Sequence, residues 1–121
     1  MKNMKVAMLG LGATALVALA FAVPAMAHQS GTTVNVVAGK PSEFSFTLST
    51  KTVKHGPVTF KVKNGGSITH DFSIDGKTTP MLAPGKSATL TVTLAKAGNY
   101  PYECTVPGHA AAGMKGVLKA T

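Results

Sequence analysis

Alternation with a period of two governs most of this chain. Residues 87–94 read Ser-Ala-Thr-Leu-Thr-Val-Thr-Leu, polar and apolar in turn. Successive side chains of an extended strand point to opposite faces, so such a segment offers one face to a core and one to water. The pattern returns at 43–48 (Glu-Phe-Ser-Phe-Thr-Leu), 58–63 (Val-Thr-Phe-Lys-Val-Lys) and 100–104 (Tyr-Pro-Tyr-Glu-Cys). Shorter β-branched or aromatic runs lie at 32–37, 72–74 and 116–119. Turn residues separate them at Gly39-Lys40-Pro41, Gly56-Pro57, Asn64-Gly65-Gly66, Asp75-Gly76, Pro84-Gly85 and Ala97-Gly98. No stretch after residue 30 carries a helical stripe. Seven or eight short strands predict an all-β domain, a two-sheet β-sandwich with Greek-key connections.

The first 27 residues follow a different logic. Lys2 and Lys5 stand before an apolar run from Val6 to Val23, and Ala25-Met26-Ala27 precedes the polar His28-Gln29-Ser30. A positive start, an apolar middle and a small-x-small end are the parts of a secretory signal peptide. The expected organisation is therefore a signal peptide over 1–27 and one domain over 28–121. Removing 27 of 121 residues leaves 94. The alternative is an uncleaved anchor, since residues 6–27 are long enough to span a bilayer at about 20 apolar residues. Both place the domain outside the cytoplasm, in the periplasm or beyond.

Within 28–121, ten lysines face four acids, Glu43, Asp71, Asp75 and Glu103, for a net charge of +6 with histidines neutral. The chain has no Arg, and the lysines are scattered. That argues against nucleic acid, whose recognition favours the guanidinium fork. Scattered lysines fit a solvated face, and they would also speed encounter with an acidic partner or an anionic membrane surface.

Cys104 is the single cysteine. An exported chain with one Cys builds no internal disulfide, so the thiol needs another role. Four residues separate Cys104 from His109, and four separate His109 from Met114. Pro107, Gly108 and Gly113 make this stretch a loop. A loop that leaves a strand end and returns can converge three side chains on one point. Upstream, His70 follows the Asn64-Gly65-Gly66 turn. The candidate ligand set is His70, Cys104, His109 and Met114. Thiolate and thioether favour copper, imidazole suits it in both oxidation states, and two His, one Cys and a weak Met form the blue-copper set. Zinc would accept the Cys and both His but gains little from a thioether. Four protein donors leave no open position, so an enzyme is not expected, nor a small-molecule substrate.

At these residues the chain resembles the cupredoxins, the small blue-copper proteins, over Val34 to Lys119. The stretch Gly98-Asn99-Tyr100-Pro101-Tyr102-Glu103-Cys104, continued by Pro107-Gly108-His109 and Gly113-Met114, carries the resemblance most specifically. Its four-and-four spacing is similar to that of auracyanins and rusticyanins. Plastocyanins have a shorter Cys-to-His gap, and azurins a shorter His-to-Met gap. The resemblance implies a Greek-key sandwich with one type 1 copper, His70, Cys104 and His109 in a plane and Met114 axial. It implies that the Tyr100 hydroxyl pins the preceding connection. In that family the residue after the first His is often Asn or Ser, and its side chain ties the His strand to the residue after the Cys, here Thr105; this chain departs from the pattern with Asp71. An ionised Asp71 would favour Cu(II) and lower the potential.

The function expected is one-electron transport between extracytoplasmic redox proteins. These would dock near His109, where Pro107 and Ala110 to Ala112 make a flat apolar surface. The partner would be acidic, contact with a membrane limited to the anchor or the periphery, and the chain a monomer. The alternative is copper binding and delivery, which favours exposed and easily exchanged sites. His28 reads as a frayed terminus, His55 as a loop residue and Met81 as core packing.

Overall fold

The computed structural model describes Gly10, Gly12, residues 17–20 and residues 31–121. The expected signal segment lies almost wholly outside these residues, as does His28. Among the described residues no helix is long and apolar enough to cross a membrane.

Nine strands form in the described residues: β1 Thr32–Ala38, β2 Phe46–Leu48, β3 Thr52–Val53, β4 Gly56–Asn64, β5 Ser73–Ile74, β6 Lys77–Thr78, β7 Ser87–Leu94, β8 Gly98–Glu103 and β9 Lys115–Ala120. They make two sheets, in the orders β2-β1-β4-β7 and β3-β9-β8-β5-β6. β1 pairs with β4 in parallel, as β3 does with β9, and the remaining pairs are antiparallel. The chain leaves the first sheet after β4 and returns to β4's other edge as β7, having built β5 and β6 in the second. This is the all-β sandwich that the period-two pattern predicts.

β7 spans the residues the alternation marks. Three differences from the sequence reading have local causes. The 43–48 strand is shorter, because Ser42 and Ser45 bond each other across a turn: the Ser42 amide donates to Ser45 Oγ (3.0 Å), and that hydroxyl donates to the Ser42 carbonyl (2.7 Å). Such local bonds compete with a ladder, and Glu43 and Phe44 stay in the turn. Gly56-Pro57, expected as a turn, opens β4 opposite Leu94 and Thr93; proline is tolerated at a strand's first positions. β3 and β6 have two residues each, too few for periodicity to register. The Asp75-Gly76 turn does join β5 to β6, with φ of 49° and 73°, as a two-residue hairpin of the primed type requires.

The inward faces meet in one apolar layer. Val34 and Val36 from β1 and Val58, Phe60 and Val62 from β4 face Phe72, Ile74, Tyr102 and Leu118, all buried. Phe72 sits among three rings, with centroids 5.2 Å from Phe60, 5.4 Å from Phe46 and 5.5 Å from Tyr102. Each fully buried apolar side chain of this kind contributes about 1.5–3 kcal/mol relative to exposure. Pro101 and Glu103 point outward while Tyr102 and Cys104 point in, the register expected of β8. The Tyr100 hydroxyl donates to the Lys96 carbonyl (2.7 Å) and pins the connection from β7 to β8.

A second, smaller apolar cluster of Ala38, Cys104 and Met114, with Phe46 and Val106 against it, closes one pole of the sandwich. β1, β4 and β8 end at this pole, and β9 begins there.

Candidate metal centre

Two arms meet at the pole. The first is the segment 104–114 between β8 and β9. The Cys104 amide donates to the Met114 carbonyl (3.1 Å), and the Met114 amide donates to the His109 carbonyl (3.0 Å). A single turn inside it is closed by the Ala112 amide on the Gly108 carbonyl (3.0 Å). Gly108 and Gly113 sit at φ 84° and 113°, values a side chain would strain. The segment therefore folds back on itself, and Cys104, His109 and Met114 come together.

The second arm carries His70. Asn64, fully buried at the end of β4, donates through its amide to the carbonyls of Ile68 and Leu82 (2.7 Å each) and accepts from the Gly66 amide (2.9 Å). His70 then exchanges two backbone bonds with Leu82, of 3.1 and 2.8 Å. These fix the His70 backbone beside the second sheet before β5 begins.

The donor atoms face one another. His70 Nδ1 and His109 Nδ1 are 3.2 Å apart. Cys104 Sγ lies 3.5 Å from His109 Nδ1 and 3.9 Å from His70 Nδ1. The ligand atoms of these three residues all lie within 4.8 Å of one another. Exposure is 0% for His70, 1% for Cys104, 0% for Met114 and 8% for His109. All four residues singled out in the sequence are brought to this pole. Burial pushes the Cys104 thiol above its ordinary pKa, an effect that backbone donation through Asp71 and Val106 partly opposes. A cation arriving between the imidazoles would displace that proton.

Asp71, 1% exposed, joins the two arms. Its Oδ1 accepts from the Thr105 amide (2.6 Å) and its Oδ2 from the Thr105 hydroxyl. Asp71 thus ties the His strand to the residue after the cysteine, although it stands where Asn or Ser is the expected residue type.

Two contributors were not singled out in the sequence. Glu43 Oε1 lies 2.7 Å from His70 Nε2. The same carboxylate accepts from the Ser67 amide (3.0 Å), the Ser67 hydroxyl (2.9 Å) and the Ile68 amide (3.2 Å). Donation from the Ser67 backbone, then from His70, holds its pKa at about 2. Phe44 presents an edge contact to His109, with centroids 5.0 Å apart. The available signal was scarcity: Glu43 is one of only four acids. Reading 43–48 as one strand hid it. Met81, expected to pack in the core, is 56% exposed, because the bonds between His70 and Leu82 turn Leu82 inward and leave its neighbour outside. His55 is exposed, with Nδ1 2.8 Å from the Thr121 carbonyl.

Two imidazole nitrogens and a thiol, converging in a dry pole beside a buried thioether, match the donor chemistry of a blue copper site. Among the described residues no buried side-chain nitrogen or oxygen lacks a partner.

Comparison with known proteins agrees. Auracyanin-B of Chloroflexus aurantiacus is 49% identical over 43 residues, which cover 36% of this chain and 18% of that protein. The matched stretch is thus a small part of the relative's length. The fold superposes on dithionite-reduced auracyanin from Roseiflexus castenholzii with a TM-score of 0.64 and 25% identity, over 75% of this chain and 98% of that one. Reduced rusticyanin superposes with a TM-score of 0.60 and 27% identity, over 76% and 81% of the two chains. The family model for the cupredoxin-like domain matches residues 12–118, and the chain belongs to that family.

Proposed function

We propose that this chain is an exported type 1 copper protein that carries single electrons between redox partners. The observation that carries the reading is the buried donor set: three ligand atoms from His70, Cys104 and His109 within 4.8 Å of one another, with Met114 buried in the same cluster as Cys104. In this reading His70, Cys104, His109 and Met114 hold one copper ion. When bound, copper supplies a one-electron couple between Cu(I) and Cu(II), tuned by the weak thioether.

The chain's own residues do the rest. Backbone bonds within 104–114 and the Asn64 clamp hold the donors near one another. A site braced in this way rearranges little when charge changes. Burial keeps water from the donors, and four protein donors leave no position for a substrate, so electron transport is favoured over catalysis. Delivery of copper would call for an exposed, exchangeable site, and no donor residue here is more than 8% exposed.

His109 is the most exposed of the four, and Ala111 and Ala112 beside it are exposed. The proposed docking surface for a redox protein centres there. Within 28–121 ten lysines stand against four acids, a net charge of +6 with histidines neutral. An acidic partner is the complement of that net charge. Export through a cleaved segment 1–27, a periplasmic or extracellular location and a monomeric state complete the proposal, on the sequence grounds given above.

The test is to add Cu(II) to the purified protein and record the visible spectrum beside Cys104→Ser. An intense thiolate-to-copper band, bleached by reductant and absent in the variant, is the expected result. A faint band shared by both proteins would place copper elsewhere and end this reading.

A further inference from the structure

Glu43 is not among the four donors, yet its carboxylate touches one of them on the side away from the cluster. His70 has two ring nitrogens: Nδ1 faces Cys104 and His109, and Nε2 faces Glu43 at 2.7 Å. We infer that Glu43 is a positioning residue for the metal centre. It holds neutral His70 as the Nε2–H tautomer, leaves Nδ1 free to coordinate, and biases the bound metal toward its more highly charged state. The inference rests on the copper reading and extends it to a residue outside the donor set.

Three observations carry it. First, the carboxylate is built in and is not a loose surface group. The amides of Ser67 and Ile68 and the Ser67 hydroxyl donate to it, so it cannot swing away without losing three bonds. Second, its path to His70 is cleared by two residues without side chains. A Cβ on Gly66 would collide with the Glu43 carboxylate and stand 3.0 Å from His70 Nε2; a Cβ on Gly39 would press to 2.6 Å from Gly66 Cα. Third, Glu43 keeps 28% of its side chain exposed while His70 keeps none. A carboxylate at the edge of the site is thereby coupled to a donor inside it.

The chemistry follows from general behaviour. An imidazole that donates its far N–H to a carboxylate has a fixed tautomer and ring orientation and a more basic coordinating nitrogen. A more basic nitrogen and a nearby negative charge both stabilise the oxidised metal over the reduced one. Loss of such a partner typically costs 10–100-fold in metal affinity. A purely structural Glu43, pinning only the turn at 67–68, would influence folding stability and nothing more.

The experiment uses the full chain, wild type, Glu43→Gln and Glu43→Ala. Glutamine keeps the length and an acceptor oxygen but removes the charge. In the copper-loaded protein, Glu43→Gln should keep the thiolate band while the oxidised-to-reduced equilibrium shifts about tenfold toward the reduced form, a potential rise of about 59 mV. A band retained with the equilibrium within twofold of wild type overturns the inference and leaves the copper reading intact. A wild type with no thiolate band fails the copper reading instead. Nitrogen-15 spectra of the metal-free proteins then decide the positioning claim alone. Neutral His70 should carry its proton on Nε2 in wild type and lose that preference in Glu43→Ala. A proton on Nδ1 in wild type, or a preference unchanged in the variant, overturns it.

Discussion

The two arms of the metal centre are built by opposite means. The segment 104–114 brings three donors from one contiguous stretch, closed by backbone bonds between residues at most ten positions apart. The other arm brings one donor, His70, and needs help from across the chain: Glu43 at a separation of 27 residues, Leu82 at 12, and Asn64 reaching Leu82 at 18. Asp71 links the arms over 34 residues. A donor set can thus be written locally where the loop is short and rich in turn residues. A lone donor on a strand approach has to be braced from several directions.

That contrast can be broken at defined points. The largest expected effect is on the braced arm. Asn64→Ala removes three bonds and leaves the Leu82 carbonyl with the His70 amide as its one remaining donor, at a cost of about 3 kcal/mol. Urea unfolding of the metal-free protein should show it, and the copper band should shift as His70 loosens while Cys104 stays in place. A loss under about 0.5 kcal/mol would mean that the bracing is redundant.

Asp71→Asn tests the link between the arms. The amide can still accept from the Thr105 backbone and donate to its hydroxyl, so the stability loss should be near 1 kcal/mol or less. Replacing the buried carboxyl group beside the centre by an amide should still raise the reduction potential. Voltammetry on both proteins checks this; equal potentials would show that the tie is mechanical only.

The smallest effect on folding is expected at the tip of the contiguous arm. Ala111 is exposed, so Ala111→Glu should change stability by no more than about 0.5 kcal/mol and leave the copper spectrum as it was. Electron exchange with an acidic partner should slow, most of all at low salt, because like charges now face each other. Exchange rates indifferent to the substitution would move the docking surface away from His109.

The contrast also explains what could be read in advance. Cys104, His109 and Met114 stood out because chemically unusual residues recur at fixed spacing in a stretch with Pro107, Gly108 and Gly113. His70 stood out more faintly, through the glycine turn before it. Glu43 did not, since nothing local distinguishes a carboxylate that braces a histidine 27 positions later from one on a solvated strand. Phe44 and the exposed Met81 escaped for the same reason.

Period two, turn residues and a lone cysteine within a four-and-four spacing were enough to determine an all-β sandwich and the identity of its four candidate donors. Those signals are local, carried by side-chain alternation and by residues that terminate strands. The tertiary structure alone decided how the sheets pair, that both arms meet at one pole, and that Glu43 stands behind His70. These depend on which strand ends are brought together across tens of residues, and the sum of the packing determines that, beyond the reach of any single segment.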